Sequence, residues 1–200
     1  MKFLYLHGFA SGPGSRKATS FRQRLGALGI DLLVPSLDGG DFAHLTISGQ
    51  LRIIEDTLEG EPAHVIGSSM GGYLAALYAS THPETGKLVL MAPAFGFAER
   101  WSAELPPGED FEVFHYGEKR LRRMHYGLIE DALRYPAAPG FRQPALIFHG
   151  KADDVVPIGA SRAFAAAHPN ARLIEMESDH ELLNVLDEIT SAAADFLLAH

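Results

Sequence analysis

The sequence predicts an α/β protein, a three-layer α/β/α sandwich around a mostly parallel sheet of about six strands. Two observations support this prediction. Short apolar runs, typical of strands buried on both faces, recur near residues 2–6, 30–34, 63–67, 87–91, 145–149 and 171–175. Segments with helical patterning separate them, near residues 16–28, 45–59, 70–81, 158–167 and 182–198. Strands that alternate with helices form a parallel sheet with helices on both faces.

The composition limits the possible classes of protein. Two hundred residues are the length of one ordinary domain, so we expect a single domain over residues 1–200. A net charge of −8 argues against a nucleic-acid partner. The absence of cysteine excludes disulfides, a thiol nucleophile and cysteine-ligated zinc. No apolar run is long enough for a membrane span or a secretory signal, so we expect a cytoplasmic protein.

The first predicted strand, at 2–6, runs directly into His7-Gly8-Phe9. The next informative strand, at 63–67, runs into the motif Gly-Ser-Ser-Met-Gly at 67–71, which precedes a predicted helix. A Gly-x-Ser-x-Gly motif between a strand and a helix predicts a tight, strained turn that exposes its central serine, Ser69. The helix that follows begins with free backbone N–H groups, which suit a developing negative charge on oxygen.

Two later strands are also followed by polar residues of the kind that activate a serine. Asp153 and Asp154 come shortly after the run at 145–149, and His180 comes shortly after the run at 171–175. The carboxyl ends of parallel strands share one edge of a sheet, so we expect these side chains near Ser69. The chain order serine, aspartate, histidine is the order found in α/β-hydrolases.

These segments resemble the α/β-hydrolase superfamily, and within it the small single-domain bacterial esterases. The resemblance rests on the His-Gly, Gly-x-Ser-x-Gly, His-Gly-x-x-Asp-x-Val-Val-Pro and Asp-His segments and spans nearly the whole chain. It implies an α/β-hydrolase fold that lacks the first two strands. Its His-Gly-x-x-Asp spacing favours Asp153 for the acidic role, with Asp154 as the alternative.

The resemblance also implies a role for each site residue. Ser69 is the expected nucleophile, His180 the base and Asp153 the group that orients the histidine. The backbone N–H groups of Phe9 and Met70 form the expected oxyanion hole. The resemblance implies a serine hydrolase that acts on a small-molecule ester or thioester, with no cofactor and no metal.

About fifty residues, at 94–141, separate the fourth and fifth predicted strands, more than a simple crossover needs. We call this segment the insertion and expect a small helical lid with an aromatic, acyl-binding face. Its expected pocket residues are Phe95, Trp101, Phe111 and Phe114. The basic cluster at 119–123 either meets an anionic substrate or forms a solvated face.

Three alternatives remain open at this stage. The same three residues could hydrolyse an amide, a lactone or a carbon–carbon bond, because the fold does not specify the leaving group. The chain could instead be a small-molecule-binding protein on a hydrolase fold. Ser69 could also be an ordinary turn serine. The sequence does not determine the acyl length of a substrate or the oligomeric state.

Overall fold

A computed structural model describes residues 1–199 of the chain. Its seven strands are β1 (Lys2–Leu6), β2 (Ala63–Ser68), β3 (Leu88–Met91), β4 (Phe111–His115), β5 (Arg120–Met124), β6 (Ala145–Gly150) and β7 (Ala171–Met176). Its seven α-helices are α1 (Arg16–Gly26), α2 (Ile47–Leu58), α3 (Met70–Thr81), α4 (Phe97–Glu104), α5 (Gly127–Ala132), α6 (Ile158–Ala167) and α7 (Leu186–Leu198). Short 3₁₀ turns at Phe42–His44 and Leu183–Val185 complete the elements of this region.

Five of the strands form one parallel sheet in the order β1-β2-β3-β6-β7. Alternate residues of each strand face opposite sides of the sheet. In β3, for example, Leu88 and Leu90 pack in the core beneath α2, α3 and α6, whereas Val89 and Met91 pack in the core beneath α1 and α7. The sheet is therefore covered by helices on both faces, and the predicted α/β/α sandwich is confirmed.

The strand predicted at 30–34 is reduced to one bridge, between Leu33 and Leu4 of β1. Two backbone hydrogen bonds form it, from Tyr5 N–H to the Leu33 carbonyl and from Leu33 N–H to the Phe3 carbonyl. Pro35 follows within two residues and has no N–H to continue the ladder. The hydrogen-bonded sheet therefore has five strands, with this segment beside its β1 edge.

The insertion differs in part from the expected helical lid. Helices α4 and α5 lie near its ends, but β4 and β5 form an antiparallel hairpin between them. The β4 sequence alternates in burial, with Phe111, Val113 and His115 turned inward and Glu112 and Phe114 outward. This period of two is a strand pattern, and it overrides the helical expectation.

The hairpin is joined to the main body by two backbone hydrogen bonds. The Tyr116 N–H donates to the Ala10 carbonyl at 2.8 Å, and the His125 N–H donates to the Ala43 carbonyl at 2.8 Å. Ala10 belongs to the loop that follows β1. The insertion is therefore attached to the edge of the sheet where the predicted site residues lie.

Within residues 1–199, every helix is too short or too polar to cross a lipid bilayer.

Candidate active site

Ser69 occupies a strained turn between β2 and α3. Its backbone has φ 53° and ψ −116°, a region that side-chain-bearing residues rarely adopt. The surroundings hold it there: the Ser69 N–H donates to the Met91 carbonyl at 2.8 Å, and the Ser69 carbonyl accepts from Ala94 N–H at 3.0 Å. Such strain costs about 1–3 kcal/mol and persists only where neighbouring contacts enforce it.

The two motif glycines are required by close backbone approach. A β-carbon on Gly67 would lie 2.2 Å from the Gly71 carbonyl oxygen, and one on Gly71 would lie 2.1 Å from the Leu6 carbonyl oxygen. Both distances are far below van der Waals contact. Only glycine lets α3 begin this close to the ends of β1 and β2.

His180 connects Ser69 to Asp153. Its Nε2 atom lies 3.1 Å from the Ser69 hydroxyl oxygen, and its Nδ1 atom lies 2.8 Å from Asp153 Oδ2. Because a carboxylate only accepts, Nδ1 carries the proton and Nε2 is left to accept from the serine. The three side chains form one hydrogen-bonded chain across residues 111 positions apart in sequence.

Asp153 is the buried end of this chain. Its side chain is fully buried, and its Oδ1 atom accepts hydrogen bonds from the N–H groups of Val155 and Val156 at 2.9 and 2.8 Å. Burial alone raises the pKa of Asp153, but hydrogen bonds from His149, His180 and Val156 outweigh burial and hold that pKa well below its usual range. The structure therefore brings Asp153 to His180, whereas the side chain of Asp154 is exposed to solvent.

The loop after β1 lies directly against Ser69. A β-carbon on Gly8, the residue before Phe9, would be 3.4 Å from the Ser69 β-carbon. Met70 is the first residue of α3, and a first-turn N–H has no earlier turn to donate to. His7 braces the loop by donating from Nδ1 to the Gly8 carbonyl at 2.9 Å and accepting at Nε2 from Leu37 N–H at 3.2 Å. Burial lowers the pKa of His7, which favours this neutral form.

A model of the Uncharacterised protein family (UPF0227) matches residues 2–197. The chain belongs to this family. A solved structure of Est1E from Butyrivibrio proteoclasticus with bound ferulic acid superposes with a TM-score of 0.83, at 21% identity, over 98% of this chain and 87% of that one. This likeness shows the fold. A solved structure from Xanthomonas campestris that is assigned to the alpha/beta hydrolase superfamily is 25% identical, with a TM-score of 0.69 over 98% of this chain and 97% of that one, so the resemblance to this superfamily is confirmed.

Two curated proteins are related to this UPF0227 member in sequence. A pimeloyl-acyl-carrier-protein methyl ester esterase from Chromobacterium violaceum is 29% identical over 57% of this chain. The match covers 61% of that esterase, so the chain spans less than two thirds of its length. A 2-hydroxymuconate semialdehyde hydrolase from Pseudomonas putida is 25% identical over 85% of this chain and 76% of the relative.

In this UPF0227 chain, part of the insertion forms an aromatic cluster with the loop after β1. The Phe9 ring lies 5.1 Å from the Trp101 ring and 5.6 Å from the Phe42 ring, and Trp101 lies 6.2 Å from Phe111. Trp101 therefore adjoins a predicted oxyanion residue, and Phe111 joins the cluster through Trp101. Phe42 was not anticipated from the sequence, because it stands in a short 3₁₀ turn with no motif around it.

The other two expected pocket residues lie elsewhere. Phe95 is 2% exposed and stacks on Phe164 of α6 at 4.7 Å, inside the core. Phe114 is 47% exposed and packs against Tyr116, on the face of β4 opposite to Phe111. Alternation along a strand sends adjacent side chains to opposite faces, so the structure does not bring Phe114 together with Phe111.

The basic cluster of this UPF0227 protein lies on β5 and is largely paired with carboxylates of the hairpin. Arg120 and Arg122 both contact Glu118, and Arg123 contacts Asp110 at 2.7 Å. The Arg122 guanidinium also lies 5.3 Å from the centre of the Phe42 ring. These contacts are those of a solvated, self-neutralised face rather than of a site for an anion.

Proposed function

We propose that this chain is a serine hydrolase that cleaves carboxylic esters or thioesters through an acyl-enzyme on Ser69. The observation that carries the proposal is the hydrogen-bonded chain from the Ser69 hydroxyl through His180 to Asp153. A serine hydroxyl is a weak nucleophile at neutral pH and becomes effective when an adjacent base removes its proton. The unprotonated Nε2 atom of His180, 3.1 Å from the Ser69 hydroxyl oxygen, supplies that base.

In the acylation step, Ser69 Oγ attacks the substrate carbonyl while His180 Nε2 takes the hydroxyl proton. The carbonyl oxygen becomes negatively charged and is stabilised by the N–H groups of Met70 and Phe9, which together act as the oxyanion hole. When the carbon–oxygen or carbon–sulfur bond to the leaving group breaks, His180 returns its proton to the departing alcohol or thiol. The acyl group remains on Ser69.

In the deacylation step, water takes the place of the leaving group. His180 accepts a proton from the water, whose oxygen attacks the acyl carbon, and the proton then passes to Ser69 as the carboxylic acid departs. Asp153 stays ionised throughout, because its pKa is held well below its usual range. Its charge stabilises the imidazolium that forms in each step, and the steps use only protein groups and water.

The aromatic cluster supports an apolar acyl group of small to medium size. Trp101 and Phe111 come from the insertion, and Trp101 packs against both Phe111 and Phe9, which makes the insertion a lid in this proposal. The sequence likeness to a methyl ester esterase supports an ester as the scissile bond. The likeness to 2-hydroxymuconate semialdehyde hydrolase favours one second candidate, hydrolysis of another bond type on the same three residues.

Labelling with a fluorophosphonate probe tests the proposal without a known substrate. We expect one adduct, located on Ser69 by peptide mass spectrometry, and none in Ser69→Ala. The matched control is Ser68→Ala, which removes the neighbouring hydroxyl and leaves the labelling intact. An ester panel of increasing acyl length then separates esterase activity from the second candidate. An unlabelled wild-type protein, or a labelled Ser69→Ala variant, would contradict the proposal.

A further inference from the structure

His149 is a second histidine on the carboxylate of Asp153. Its Nε2 atom lies 3.1 Å from Asp153 Oδ2, the oxygen that also accepts from His180 Nδ1 at 2.8 Å. The His149 and Asp153 side chains are both fully buried. Asp153 Oδ2 therefore has two imidazole nitrogens within hydrogen-bonding distance, one from His180 and one from His149.

The protonation of His149 follows from its partners. Nε2 also lies 2.9 Å from the Val156 carbonyl oxygen, so both of its neighbours are acceptors and Nε2 must carry a proton, which the two oxygens share. Nδ1 lies 2.8 Å from the hydroxyl of Ser161, which is buried at the start of α6 and can donate to it. The ring is thus held at both nitrogens, and its orientation is fixed.

This contact acts on the charge and on the direction of Asp153. The contact with His149 lowers the pKa of Asp153, together with the contacts that His180 and the Val156 N–H make. A donor on Oδ2 also restricts rotation of the carboxylate, whose other oxygen is held by backbone N–H groups. A carboxylate whose two oxygens are both held in this way keeps one orientation, and that orientation fixes the position of the His180 ring.

We propose that His149 is a positioning residue, which keeps Asp153 ionised and directed at His180. The chain of polar contacts then runs from Ser161 through His149, Asp153 and His180 to Ser69. This inference rests on the proposed function, because the chain has a catalytic meaning only if Ser69 is the nucleophile. A small displacement of an orienting group can lower a rate about a hundredfold. His149 touches neither substrate nor the reacting atoms and acts through Asp153.

The test compares two replacements of His149. His149→Leu removes the donor, whereas His149→Gln keeps an N–H near the position of Nε2. The control, His168→Leu, removes a histidine near the end of α6 that contacts the Phe164 carbonyl and not the site. For each variant we would measure kcat and KM on one activated ester from pH 5 to 9, together with thermal unfolding.

We expect His149→Leu to lower kcat about tenfold or more, with KM changed by less than about twofold. We also expect the acidic midpoint of the kcat/KM profile to move upward by about half a pH unit, since Asp153 then directs more negative charge at His180 and stabilises its protonated form. His149→Gln restores much of kcat and of the midpoint, and His168→Leu matches wild type. Other charged groups near these residues, namely Lys17, Glu175, Asp179 and Glu181, are common to all variants.

A folded His149→Leu variant with wild-type kcat and midpoint would overturn the inference. So would equal losses in both His149 variants with an unmoved midpoint, which would indicate a packing role alone. If His149→Leu does not fold, His149→Met decides, because its flexible side chain fills a similar volume without an N–H donor; wild-type kcat and midpoint in that variant would overturn the inference.

An activity-independent measurement separates this inference from the proposed function. The proton shared by His180 and Asp153 gives a downfield proton resonance, and we expect it to shift in His149→Leu and return toward its wild-type position in His149→Gln. An unlabelled, inactive wild-type protein would remove the proposed function, whereas an unmoved resonance would remove the positioning role.

Discussion

Gly71 lies so close to the end of β1 that a β-carbon added to it would stand 2.1 Å from the Leu6 carbonyl oxygen. The first turn of α3 is thereby packed directly onto two strands, and Ser69 is held at the start of that helix. A side chain at position 71 must push the helix away from the sheet, because the atom it meets is backbone. The geometry of Ser69 therefore depends on the absence of a side chain two residues later.

We predict that Gly71→Ala lowers the free energy of unfolding by about 1–3 kcal/mol, the usual cost of overpacking, and abolishes fluorophosphonate labelling. The matched control is Gly26→Ala, since an added β-carbon there meets nothing within 4 Å. Urea unfolding monitored by tryptophan fluorescence measures both variants. A Gly71→Ala variant as stable and as reactive as Gly26→Ala would contradict the close packing.

The two adjacent aspartates should differ sharply in their effect on activity. Asp153→Asn leaves an amide where His180 needs an acceptor and favours the wrong tautomer of the histidine, so we expect kcat to fall by about four orders of magnitude. Asp154→Asn alters an exposed side chain, and we expect kcat within about twofold of wild type. Steady-state kinetics on one activated ester compares them, and the reverse order would move the acidic role by one residue.

Stability should depend on the charge of Asp153 in acid. The folded-state pKa of Asp153 is held well below its usual range, so the unfolded chain takes up this proton first, near its ordinary pKa of about 3.9. The contribution is fully present above about pH 4 and is lost as pH falls toward the lower folded-state pKa. We expect the stability difference between wild type and Asp153→Asn to be constant from pH 5 to 7 and to narrow below pH 4. Unfolding series at these pH values measure it; a widening difference would be inconsistent with a lowered pKa.

The aromatic cluster should govern acyl-chain preference. Trp101→Ala removes the ring that joins Phe9 to Phe111, so we expect the ratio of kcat/KM for a hexanoyl ester over an acetyl ester to fall about tenfold. The ratio is insensitive to the fraction of folded protein. Phe114→Ala is the matched control, because that ring is about half exposed and lies outside the cluster, and it should leave the ratio unchanged. Equal effects of the two variants would place the acyl group elsewhere.

Much of the site could be anticipated because its signals are local. The glycines around Ser69 and the polar residues after β1, β6 and β7 are readable one segment at a time, and a parallel sheet brings such strand ends to one edge. The helix expected in the insertion was wrong for 111–124, where the alternation of inward and outward side chains in β4 belongs to a hairpin. Phe42 and the contact of His149 with Asp153 had no local signal.

The sequence by itself determined the five strands of the parallel sheet, the five helices that cover it and the residues able to form the site, because buried strands, tight glycine turns and polar strand ends are properties of short segments. Only the tertiary structure decided that Asp153 rather than Asp154 meets His180, that Trp101 rather than Phe95 or Phe114 adjoins Phe9, and that two histidines lie against one carboxylate. These outcomes depend on the direction of single side chains across the packed interior, and that direction is set by contacts between residues distant in the chain.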